Sequence, residues 1–209
     1  MLKLLSNFPI FTSVIVFSLV LNIVYHHSGN REHRSREEFL EMESKANSTR
    51  KKDLSNLHYI TIDEKNLPQI DTNDEIIITC YKNIIRLKDL KIVNFTGITN
   101  TELKFEYGVA NLPVLSEYDM NFTVLCRELN KMGSRLHTLG YNKEATKVFE
   151  YAVEIGSDIS NTYKELGNLY KDEGSAYKIR ELITKSKSLN SMSKEVIVKY
   201  LEEISSTVS

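Results

Sequence analysis

The chain has five histidines, its most versatile acid–base and metal-binding groups, and their placement supports neither use. His26, His27 and His33 follow an apolar stretch, His58 lies in a turn-rich segment, and His137 falls in a helical pattern. No two stand at ligand spacing with a carboxylate on the same face, and there is no H-E-x-x-H, so no metal centre is expected. Cys80 and Cys126 sit within apolar helical patterns without C-x-x-C spacing and read as small buried hydrophobes. G-x-S-x-G, the P-loop and the dinucleotide-binding glycine pattern are all missing. Acidic pairs such as Glu37-Glu38 and Glu202-Glu203 fit solvated helix positions. No catalytic residue, metal or cofactor is assigned, and the chain is not expected to be an enzyme. Asn47, Asn94 and Asn121 head N-x-T triplets, which matter only on a eukaryotic secretory route.

What remains is recognition chemistry, and it is concentrated where the sequence repeats itself. Leu129, Met132, Gly133 and Leu136 are followed by Gly140, Ala145, Phe149 and Ala152. Tyr163, Leu166, Gly167 and Tyr170, 34 residues on, are followed in the same register by Gly174, Ile179, Ile183 and Ser186. Each copy describes a helix pair that cannot bury its apolar face alone. A small residue is needed where the two helices of a pair come closest, and Gly133, Gly167 and Ala145 are expected there. Gly140 and Gly174 fall in the tight turns, where a helix end favours positive φ.

This stretch resembles the tetratricopeptide repeat family, whose signature is W-x2-L-G-x2-Y with a later A-x3-F. The two copies are degenerate, with Leu129 for the tryptophan, Leu136 for the tyrosine, Ile179 for the alanine, and Ser157 and Ser191 for the proline. A plain helical hairpin bundle with the same glycine spacing is the alternative. The resemblance implies a groove lined by the first helix of each repeat. Carried over by register, the groove residues are Arg127, Asn130, Ser134 and His137, then Asn161, Lys164, Asn168 and Lys171. Lys164 and Asn168, at i and i+4, resemble part of the clamp by which some family members hold a peptide's terminal carboxylate. The next helix has no matching asparagine.

The rest of the chain must position that groove. Residues 4–25 carry no charge, and 22 residues at about 1.5 Å each cover a hydrocarbon core of roughly 30 Å. Residues 1–26 are therefore read as a single transmembrane anchor, left uncut because Val24-Tyr25-His26-His27 offers no small-residue cleavage site. Arg31, Arg34 and Arg36 downstream point to a cytoplasmic soluble domain by the positive-inside rule. The very short leading tail reads instead as an export signal, and the extracytoplasmic side is the expected one. Residues 27–56 mix charges of both signs with few apolar groups, so a solvated helix or flexible spacer is expected.

From Leu57 the pattern becomes foldable, with a short extended segment at His58–Ile62 and a turn at Asn66-Leu67-Pro68. A helix capped by Asp71, Thr72 or Asn73 is expected to run to Val93, burying Ile76, Ile77, Cys80, Ile84, Leu87 and Leu90. A short helix from Thr101 to Gly108 and a long one from Pro113 to Thr138 follow. Residues 57–116 form a helical layer, and residues 117–204 form the repeats with a capping helix at Met192–Ile204. The expected fold is all-α, tetratricopeptide-like hairpins behind a helical N-terminal layer and one transmembrane helix.

A net charge of -1 and no aromatic-interleaved basic stripe exclude nucleic acid as a partner. The expected partners are a protein or peptide in the groove and the lipid bilayer at residues 4–25. Two rivals stay open: a small membrane-bound enzyme with its site in residues 57–116, and a homo-oligomer paired through Val196 and Tyr200.

Overall fold

In a computed structural model, which describes residues 36–208, the chain forms eight α-helices and two short 3-10 turns, with no strand among the described residues. The first, α1, spans residues 36–47. It is exposed along most of its length, but Ala46 is buried and Glu43 meets the next layer, receiving a hydrogen bond from Thr101 Oγ1 at 2.6 Å and an ion pair from Lys104. The polar chain after it is held too. The backbone N–H of Lys52 donates to Tyr107 O at 3.0 Å, and Asn111 Nδ2 donates to Lys52 O at 2.7 Å and to Tyr107 O at 2.8 Å.

Helix α2, Glu75–Arg86, is shorter than its apolar pattern implied. Its cap is Asp74, one residue beyond the three expected, whose Oδ1 accepts from the N–H groups of Ile76 and Ile77, both at 3.1 Å. Thr72 supports the cap by accepting from Asp74 N at 3.1 Å. The helix stops seven residues before Val93, because Lys88-Asp89-Leu90-Lys91 forms a solvated turn that lets Ile92 and Val93 enter the core as extended chain. Ile76 and Leu90 are accordingly exposed, while Ile77, Cys80, Ile84 and Leu87 are buried as expected. The extended segment at His58–Ile62 is irregular; it meets Ile92 through one backbone bond, Ile60 N to Ile92 O at 2.9 Å.

Helix α3, Asn100–Tyr107, opens with a capping box in which Thr99 and Glu102 satisfy each other's backbone N–H. Helix α4, Leu112–Thr138, carries Pro113 in its first turn. The helix pairs follow as α5 (Asn142–Glu154), α6 (Ser160–Asp172), α7 (Ala176–Lys187) and α8 (Lys194–Ser205). Gly140 and Gly174 lie in the turns inside the pairs at φ 82 and 69, as the spacing required.

One core runs from α2 through the C-terminal part of α4 to α8, and a smaller one joins Val93, Phe95 and Leu103 to Leu115 near the start of α4. Gly133 faces Phe149 of α5, so the first pair makes its close approach at the expected place. Gly167 differs: the atoms a Cβ would meet there belong to Leu201 and Ile204 of α8 rather than to its own pair partner α7. The terminal helix, bulky at Leu201, occupies the space that the small residue leaves. No helix among the described residues is long and apolar enough to cross a membrane, and the expected anchor at 4–25 lies outside them, with His26, His27 and His33.

Candidate functional site

The eight groove residues share the side of α4 and α6 on which these helices and α8 meet, and most of them contact one another or the next helix. Asn161 Nδ2 donates to Asn130 Oδ1 at 3.1 Å and to Ser134 Oγ at 3.0 Å, and the hydroxyl of Thr162 also reaches Asn130 Oδ1 at 3.2 Å. One turn further along α4, His137 Nδ1 lies 2.6 Å from Glu165 Oε2. Asn168 accepts from the Tyr200 hydroxyl at 2.8 Å, and the Lys164 ammonium sits 5.4 Å from the centre of the same ring. Arg127 and Lys171, at the two ends, are exposed.

The geometry thus divides the set. Asn130, Ser134, Asn161 and His137 spend polar atoms on holding α4 to α6, and Asn168 does the same for α6 and α8. Arg127, Lys164 and Lys171 carry cations at a partly solvated face. Two participants were not singled out from sequence, Thr162 and Glu165, and a third, Tyr200, was read there only as a self-association residue. The 34-residue register, stepped forward from Leu166, lands on Tyr200. Its hydroxyl is tied to Asn168, so of the two residues considered for self-association it is Val196 that stays exposed.

The opposite side of the pairs is a support. The Tyr170 hydroxyl donates to Glu150 at 2.7 Å, and Lys178 lies 4.9 Å from the centre of its ring. Burial, then the Glu150 carboxylate, push the Tyr170 phenol up and keep it neutral. Cys80 and Cys126 are buried free thiols, each pushed up to about 12 chiefly by burial, which suppresses the thiolate needed for nucleophilic or redox chemistry.

Of the clefts that border the N-terminal layer, two reach side chains of the main core. One, of about 590 Å³, is lined by His58, Asn66, Asn94, Tyr151, Glu154 and their neighbours; His58 and Glu154 are exposed at its edge. The other, of about 460 Å³, lies between residues 68–72 and α2 and is mainly apolar. Among the described residues no group of three or more His, Cys, Asp or Glu is placed to hold a metal ion. No protein-family model matches the chain, and no curated protein and no solved structure matches it either.

Proposed function

We propose that this protein is a membrane-tethered, non-catalytic adaptor of tetratricopeptide-like build. In this reading it binds a protein or peptide partner along the α4–α6–α8 face. The observation that carries the reading is the continuity of that face: side chains from three successive first helices join into one polar stripe, with Arg127, Lys164 and Lys171 carrying cations on it. The bonds between helices fix the backbone spacing, so a partner meets a pre-formed surface and loses less conformational entropy on binding. The anchor at residues 4–25, with the folded domain on the extracytoplasmic side, confines that surface to the bilayer and raises the effective concentration of a partner held there.

The test is site-specific photo-crosslinking in native membranes, with the reactive group at position 171 on the stripe or at position 185 on α7. The expected result is a discrete adduct from 171, lost when Arg127→Glu and Lys164→Glu are introduced, and no such adduct from 185. The same adducts from both positions, or none from 171, would overturn the assignment.

A further inference from the structure

The geometry points to a binding site for a free apolar amino acid in the cleft between residues 68–72 and α2. This inference is independent of the adaptor reading, because the cleft and the stripe share no residue. The floor is Met132 and Ile77, both buried, and Ile70, Ile78 and Tyr81 stand half-buried along the walls. A volume of about 460 Å³ is ample for an aliphatic or aromatic side chain together with its polar end.

The covering segment is pinned on both sides of the cleft. Leu67 is buried in the core, and Asp74 receives Arg135 Nε at 2.9 Å and Nη2 at 2.7 Å while capping α2. The hollow is therefore built before any ligand arrives.

The ligand class follows from the rim. Asp71 and Lys82 both border the cleft and are exposed, and their side chains have no hydrogen-bond or ion-pair partner among the described residues, not even each other. A neutral apolar molecule would leave both charges unused. An alkyl carboxylate would gain Lys82 but meet Asp71 as a like charge, and an alkylamine would do the reverse. An apolar α-amino acid satisfies all three features: its side chain lies on Ile77 and Met132, its carboxylate accepts from Lys82, and its ammonium donates to Asp71.

The experiment is saturation-transfer NMR on the full chain in lipid nanodiscs, with L-leucine and L-phenylalanine as probes. Isovalerate, which lacks the ammonium, isopentylamine, which lacks the carboxylate, and N-acetyl-leucine amide, which lacks both charges, are the controls. The expected result is transfer strongest at the side-chain protons of at least one amino acid, with each control weaker by at least about ten-fold, as loss of one charged hydrogen bond requires. Lys82→Ala and Asp71→Asn should each weaken binding by a similar factor without changing the unfolding midpoint, and Lys82→Arg should largely retain it. No transfer to either amino acid at about 10 mM, which corresponds to negligible affinity, would overturn the proposal. So would equal binding of the controls, which would mark the cleft as a simple apolar docking site, or indifference to both charge-removing variants.

Discussion

Replacing Gly133 by alanine sets two effects of opposite sign against each other, and the structure decides between them. In an open helix the change stabilises by about 0.8–1.0 kcal/mol, because alanine loses less backbone entropy than glycine. Here an added Cβ would lie 2.5, 2.7 and 2.9 Å from three ring atoms of Phe149, a residue with 0% exposure. The ring has no solvent-side space to move into, so the penalty belongs in the upper part of the usual 1–3 kcal/mol range for overpacking. Gly133→Ala is therefore expected to destabilise by roughly 1–2 kcal/mol net.

Gly167→Ala supplies the contrast. Its Cβ would meet only the methyl tips of Leu201, fully buried, and Ile204, 8% exposed, both at 2.7 Å, and such ends of flexible side chains can rotate aside where a packed aromatic ring cannot. That variant should fall within about 0.5 kcal/mol of the wild type. The assay is urea unfolding followed by circular dichroism, with the midpoints compared at constant slope. Phe149→Leu in the Gly133→Ala background should return part of the loss, giving a coupling energy outside simple additivity. If Gly133→Ala raises stability, or if both alanine variants behave alike, the packing argument for the first helix pair fails.

Three further outcomes are expected. Asn130→Ala should destabilise by about 1–3 kcal/mol in the same unfolding assay, because the buried Thr162 hydroxyl loses its acceptor, whereas Arg127→Ala and Lys171→Ala should stay within about 0.5 kcal/mol. Gly140→Ala and Gly174→Ala, at φ 82 and 69 with open space around the new methyl group, should each cost about 1–2 kcal/mol from backbone conformation alone, read as a lower thermal midpoint. Asp74 is held below the usual carboxylate range first by its hydrogen bond to Arg135, and also by the N–H groups of its own helix. Its folded-state pKa is thus depressed, so the stability it confers is present above the unfolded value and is lost as pH falls through the folded one. Asp74→Asn should lower the urea midpoint near neutral pH and flatten its decline below about pH 4, and an unchanged acid slope would refute this.

The features legible in the sequence were those encoded locally. Pro113 and the turn glycines each carry their signal within a few residues, so the start of α4 and the turns inside the helix pairs followed from it; the Thr99–Glu102 capping box, equally local, was passed over, and α3 starts at Asn100 rather than Thr101. The apolar run from Ile76 to Val93 misled because burial of Ile92 and Val93 comes from extended chain docking beside Ile60, and hydrophobic order alone does not distinguish that from one more helical turn. Gly167 shows the same limit at longer range: its spacing announced a close approach, but which helix approaches depends on how α8 folds back. At the stripe, the register located the polar face, whereas the division between residues that hold helices together and those left to solvent depends on pairs such as His137 and Glu165, 28 positions apart. The 68–72 cleft had no sequence signal, since it forms where residues 68–72 and α2 meet Met132 of α4, and Asp74 beside it is held by Arg135, a residue 61 positions away.

Helix α4 has 27 residues and is about 40 Å long at 1.5 Å per residue, and it is the shared beam of both cores. Leu115, in its first turns, closes the small N-terminal core, while Leu125, Leu129, Met132 and Leu136 belong to the large one. A cut within this beam would strip apolar surface from both sides, so neither half can be excised as a self-sufficient module. The two cores are expected to melt in one transition, seen as coincident unfolding curves from probes placed in each. A pull applied through the Lys52–Tyr107 and Asn111 bonds next to the start of α4 would be felt along the whole rod, not absorbed at a hinge between layers.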